Sequence, residues 1–239
     1  MTLDSIQLEA LEFTLSVERI YAALLGAEAI SLDEPTLGGK LLYVGALDGA
    51  GRALMVAGNI AGAASLAATA DSAVGKQAVR DGVADFLVNS LDEGLRILKN
   101  EIRMLEPVAV CIAASSGAVE AEMRERGVVA DLGAPSVVSE LPLGQVIVSW
   151  RVAAAPAQWL PRIDKIALEC VEMAGGLDIG CARRWLHLAP RYLGRMAQGV
   201  RVLRCESSAG NEFVARVRRA VTGGEIGVEV EMKVSGPGS

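Results

Sequence analysis

The sequence is poor in the residues that most often carry metal and nucleic-acid chemistry: one histidine (His187), four cysteines and 4% aromatic residues among 239. Cys111, Cys170, Cys181 and Cys205 stand without metal-ligand spacing, and one histidine cannot complete a set with them, so no zinc site is expected. Cationic residues are also short, 23 Lys plus Arg against 29 Asp plus Glu, and the net charge of -6 excludes the clustered basic surface a nucleic acid requires. No apolar run reaches the ~18 uncharged residues of a membrane span, so no membrane partner is expected. Asp4, Glu9 and Glu12 stand where a secretory signal would be basic, which makes the cytoplasm, with free thiols, the expected compartment.

What the chain has in quantity is small and aliphatic side chains. Its hydrophobic content of 51% is enough for one large core, or for one domain with a smaller partner. The organising stretch runs from Lys40 to Leu66 and reads as strand, glycine-rich turn and alanine-rich helix. Leu41 to Val44 is an apolar run suited to a strand buried on both faces. Gly45, Gly49 and Gly51 break it, and Ala53, Met55, Ala57, Ile60 and Ala61 supply a close-packing helical face. Such a turn lets the backbone approach a pyrophosphate, whose charge is met by free amides and the positive end of the helix. The spacing departs from G-x-G-x-x-G, Thr69 stands about where a ribose-binding carboxylate is wanted, and Asp48 and Arg52 intrude, so a structural βα turn stays open beside a bound dinucleotide.

Along the rest of the chain, Phe13, Val17, Ile20 and Leu24 predict an amphipathic helix between Ser5 and Ile30, with Glu9, Glu12, Glu18 and Arg19 on its polar face and Asp33-Glu34-Pro35 ending it. Ala63 to Thr69 is expected as a strand, Asp71 to Asp81 as a helix and Ala84 to Val88 as a strand. Ser90-Leu91-Asp92-Glu93 is a capping box opening a helix through Leu105. Val108 to Ala113 is a further strand, Ala118 to Arg126 a helix, and Val128 to Leu132 with Val146 to Val152 complete a parallel sheet of about six strands. Gly133 to Gly144 forms a loop. Beyond Ala153, helices over Trp159 to Met173 and Cys181 to Met196, a strand at Val200 to Arg204, a helix around Phe213 to Val221 and a strand at Gly227 to Val234 form a second unit. The expected architecture is α/β: a Rossmann-like parallel sheet with helices on both faces plus a smaller C-terminal α/β segment. It divides into a helical segment (1–39), the Rossmann-like domain (40–152), the C-terminal segment (153–234) and a disordered tail (235–239).

Gly45 to Leu66, with Gly49-Ala50-Gly51 and Ile60-Ala61-Gly62-Ala63-Ala64-Ser65-Leu66, then Leu91-Asp92-Glu93-Gly94-Leu95 and Arg126-Gly127-Val128 to Asp131, resembles the NAD-binding domain of urocanase (urocanate hydratase). Arg184-Trp185-Leu186, Arg201-Val202 and Gly224-Glu225-Ile226 resemble the stretch carrying that family's essential cysteine. The resemblance implies NAD as cofactor, acting as an electrophile toward an imidazole substrate, and a homodimer. It places the cofactor at Gly49, Ala50, Gly51, Thr69, Ser115 and Ser116. It also shows replacements: the acidic ribose ligand falls on Thr69, an arginine on Val74, an Asn-Ala pair on Ser115-Ser116, a Gln-Thr-Ser loop near Ser136 to Val138, and the essential cysteine on Leu203. Cys205, two positions on, lies on the same strand face and is the candidate catalytic residue, with Arg201 and Arg204 favouring its thiolate if they face it. The implied function is a urocanase-like protein of reduced size that binds NAD or a related nucleotide, with hydratase (lyase) activity; the alternative is a non-catalytic protein of that fold serving small-molecule binding or assembly. If the turn binds a dinucleotide, Gly51→Val abolishes binding and leaves the fold intact.

Other groups admit plainer readings. Ser115 with Gly117 also reads as an ordinary helix cap. His187, in the cationic run Arg183 to His187, is a general base, a phosphate cradle or a surface face, and Arg183, Arg184 and Arg191 are candidates to answer an anion. Trp150, Trp159 and Trp185 are core or interface anchors. Asp92 and Glu93 are helix-start charges, and Arg216 to Arg219 a solvated helix edge.

Overall fold

A computed structural model describes residues 3–27, 35–136, 141–175, 179–194 and 199–236. The expected helix end at Asp33-Glu34, part of the Ser136 to Val138 loop, Gly176, Met196 and residues 237–239 of the tail lie outside the described residues.

The fold is α/β, as expected. Its first half contains α1 (Leu3–Gly26), β1 (Leu41–Ala46), α2 (Gly49–Ala61), β2 (Ala64–Ala68), α3 (Ser72–Arg80), β3 (Phe86–Val88), α4 (Leu91–Met104), β4 (Val108–Ile112) and α5 (Ser116–Glu125). Four parallel strands pair in the order β1-β2-β4-β3. Alternation along the strands sorts the core into two sides. Leu42, Ala67, Ala109 and Cys111 face α2 and α3, whereas Leu41, Leu66, Val110 and Ile112 face α4 and α5. Ala64–Ala68, of weak strand propensity, is buried at every position as a central strand; small side chains there let α2 approach.

The second half contains β5 (Gln145–Val152), α6 (Pro156–Ala174), α7 (Ile179–Leu193), β6 (Val200–Glu206), α8 (Ser207–Thr222) and β7 (Val230–Ser235). Its antiparallel sheet has the order β6-β5-β7. This corrects the expected six-stranded sheet. Val146 to Val152 is the centre of the second sheet, and its apolar alternation serves that sheet's two faces rather than a parallel ladder. Val128 to Leu132 is not a strand; it touches the first sheet through one parallel bridge, Leu42 to Leu132, beside which the Asp131 carboxylate accepts the Leu41 amide at 2.8 Å. The boundary after residue 152 therefore follows, instead of preceding, the first strand of the second unit.

Helix α2 sits between the halves. Every residue from Ala53 to Ala61 is buried, beyond the single face expected. One core cluster runs from Leu42, Met55 and Ile60 through Trp185 and Leu203 to Trp150 and Phe213. Trp150 and Trp185 are thus the anchors expected, and Trp159 packs at the edge of the same cluster. Glu18 departs from its expected polar face: it is 3% exposed and bound to Arg204.

Candidate functional site

The winding of the first sheet locates its ligand crevice. Chain leaving β1 and β2 enters α2 and α3 on one face, and chain leaving β3 and β4 enters α4 and α5 on the other. The reversal between neighbours falls at β2 and β4, and ligands of open α/β sheets bind beyond the carboxyl ends of such strands. Thr69 and Ser115, one following β2 directly and the other the third residue after β4, lie at this point; the Thr69 amide donates to the Ile112 carbonyl at 3.0 Å. Gly49 to Gly51 belongs to the adjoining β1 turn. The structure brings these predicted residues to one edge of the sheet.

Their polar groups are engaged locally. Asp48 is the N-cap of α2, and its Oδ1 accepts the Gly51 amide at 2.9 Å. Thr69 Oγ1 accepts from the Asp71 amide at 3.3 Å, and Asp71 in turn caps α3. Ser115 is an N-cap, its Oγ accepting from Ala118 at 3.3 Å. The carbonyl of Ser116 lies 3.2 Å from the Tyr43 hydroxyl, which also reaches Glu120 Oε1 at 3.3 Å. Burial and that carboxylate push the Tyr43 hydroxyl up to about 12, so it is a donor at neutral pH.

The glycines have different duties from those read in the sequence. A Cβ on Gly51 would stand 2.0 Å from the Ala46 carbonyl oxygen, so this glycine lets α2 meet the end of β1. Around Gly49 and Gly45 a Cβ would meet nothing within 4 Å; Gly45 is needed for its φ of +81°, at an irregularity in the β1–β2 register. The expectation that Gly51→Val spares the fold is therefore wrong: the added carbon collides with backbone.

Cys205 is not brought to this crevice. It lies on β6, 6% exposed, in the core beside Gly210, and burial, with Cys170 and Glu206 adding to it, pushes its thiol up to about 12. The arginines expected to favour a thiolate are committed elsewhere, Arg201 to Asp164 and Arg204 to Glu18. Leu203 shares the core with Cys205, as the two-residue step requires. Among the described residues no group of three or more His, Cys, Asp or Glu is placed to hold a metal ion.

No known protein-family model matches this chain. No helix among the described residues is long and apolar enough to cross a membrane.

Asp92 and Glu93 are helix-start charges as expected: Asp92 pairs with Arg126 at 2.5 Å and Glu93 accepts the Asn89 amide at 2.9 Å. Arg216 is not merely a solvated edge, since it reaches Glu169 and the sulfurs of Cys170 and Met173 on α6. Sequence reasoning missed Asp164. Its carboxylate accepts from Arg201 Nε at 3.1 Å and Trp150 Nε1 at 3.2 Å, and burial raises it to about 6 against both of those hydrogen bonds. Its partners lie on β5 and β6, far along the chain, so the only local signal is a charged position on an otherwise apolar face of α6.

Proposed function

We propose that this chain is a urocanase-type α/β protein of reduced size that has left hydratase chemistry and serves small-molecule binding or assembly. Asp48 carries the reading. Its carboxylate takes the Gly51 amide, so negative charge stands where a pyrophosphate would need free amides and a positive helix end. Two further observations support it. The position resembling the family's essential cysteine is Leu203, and the nearby Cys205 is a buried, protonated thiol. A site with Thr69 and Val74 in place of the family's acidic ribose ligand and arginine loses contacts worth roughly 1.5 to 3 kcal/mol per charged hydrogen bond.

One observation favours a second reading, an NAD-dependent hydratase: Thr69 and Ser115 meet at the sheet's switch point, where a nucleotide would lie. Mass spectrometry of freshly purified, then denatured, protein decides between them. The expected result is no released NAD and no consumption of urocanate. Stoichiometric NAD with urocanate turnover would overturn the proposal. A homodimer goes with the family resemblance and a cytoplasmic location with the acidic N-terminus and free thiols; light scattering and fractionation test them.

A further inference from the structure

On the far side of α2 from the parallel sheet, a cleft of about 1010 Å³ opens between α6, α7 and the start of β6. Two helical faces wall it at helical spacing. Helix α6 contributes Asp164, Lys165 and Leu168, and α7 contributes Arg183, Arg184 and His187. Its volume is at the upper end of the range for ligand pockets.

The charges in this cleft run against the rest of the chain. Among the described residues the lining carries four cations, Lys165, Arg183, Arg184 and Arg201, and one carboxylate, Asp164, in a protein of net charge -6. Arg201 and Asp164 neutralise each other, with side chains 15% and 13% exposed. Arg183 meets Glu172 at 2.8 Å, but both side chains are about half in water, where such a pair holds little. Arg184 has no counter-ion among the described residues: its Nε donates to the Ile60 carbonyl at 2.6 Å, at the negative end of α2. Lys165 is exposed and meets no carboxylate among the described residues. Among the described residues the two helices thus each present a cation without a carboxylate partner to one concavity, which concentrates the field there. Leu168, Leu186 and Leu188 lie beside them, giving an apolar surface for the body of a ligand as well as a seat for its charge.

We propose that this cleft binds a small organic anion, an oxyanion head on an apolar body, with Lys165 of α6 and Arg184 of α7 holding the head. This goes beyond the reading of the glycine turn and rests on none of its residues. A long polyanion is disfavoured by the acidic remainder of the surface.

The test is calorimetric titration of the full chain with phenyl phosphate and with benzoate, which separate a phosphate from a carboxylate head, and with inorganic phosphate and benzyl alcohol as the two halves. The expected result is saturable one-to-one binding of an aryl anion, tighter than either half. Lys165→Glu, at an exposed site and with folding checked by circular dichroism, should weaken it about tenfold or more, the scale of one charge-assisted hydrogen bond. Arg219→Gln, outside the cleft, should leave it unchanged. Absence of saturable binding of both aryl anions overturns the proposal, as does binding indifferent to Lys165→Glu. If NAD binds this protein, an effect of Lys165→Glu places its pyrophosphate in this cleft, and an effect of Asp48→Ala places it at the turn.

Discussion

Glu18 and Arg204, 186 residues apart, form a bidentate ion pair with Nε–Oε1 at 2.9 Å and Nη2–Oε2 at 3.1 Å, joining α1 to β6. The Glu18 side chain is 4% exposed and that of Arg204 21%. Removing one partner strands a charge in the core, so Glu18→Met should cost about 2 to 3 kcal/mol, somewhat below the fully buried case because Arg204 keeps some water. The double variant Glu18→Met with Arg204→Met should recover most of that loss. Urea unfolding measures both, and a single variant as stable as the parent would show that the pair is dispensable.

The turn after β1 separates capping from packing. Asp48→Ala removes the N-cap of α2 and should cost about 1 kcal/mol. Gly51→Val, whose Cβ would stand 2.0 Å from the Ala46 oxygen, should give little folded protein, whereas Gly49→Ala, in open space, should fold normally. Thermal melts of the three variants check the order, and a well-folded Gly51→Val would contradict the close approach.

Asp164 makes stability depend on pH in an unusual direction. Burial raises its carboxyl to about 6 from an ordinary 3.8. Between those values the folded state holds a proton that the unfolded chain has released, so this group stabilises fully below about pH 4, and its contribution is lost as pH rises through about 6. Comparing Asp164→Asn with the parent by urea unfolding at pH 4, 5, 6 and 7 (~one-unit steps across that window) should show the parent losing ground relative to the variant as pH rises. A constant difference would mean that Arg201 and Trp150 keep the carboxylate ionised throughout.

Thiol labelling should rank the cysteines by burial. Cys205 and Cys111 are held up to about 12 and about 11 by burial, and Cys170 is also raised, so all three are protonated and covered at neutral pH. Cys181 is only half-buried. Iodoacetamide followed by peptide mapping should mark Cys181 first and the others only on unfolding. Early modification of Cys205 would restore it as a candidate catalytic residue.

Local chemistry explains how much could be read from the sequence. The Ser90 cap, the Leu91, Leu95 and Leu98 repeat and the apolar Val108 to Ile112 run are written within a few residues of themselves, and each formed where expected. Val146 to Val152 reads as a strand in the sequence, yet it pairs in the second sheet, because alternation reports that a strand has two faces and not which partner covers them. The six site residues of the first sheet lie at its carboxyl edge as expected, yet only the fold shows that Thr69 and Ser115 already accept the Asp71 and Ala118 amides and that Asp48 takes the Gly51 amide. Glu18 with Arg204, and Asp164 with Arg201, join distant segments and become visible only once the chain is folded.

Because α2 is buried on every side from Ala53 to Ala61, it has no solvent face there on which to place a polar substitution, and it packs on the parallel sheet and on α1 and α7 at once. On one side Gly58 lies so close to the strands that a Cβ would approach Leu42 Cδ2 to 2.5 Å; at its end Arg184 holds the Ile60 carbonyl. A chain whose halves share a central helix in this way should unfold in one cooperative step and should yield no stable fragment when it is divided between them.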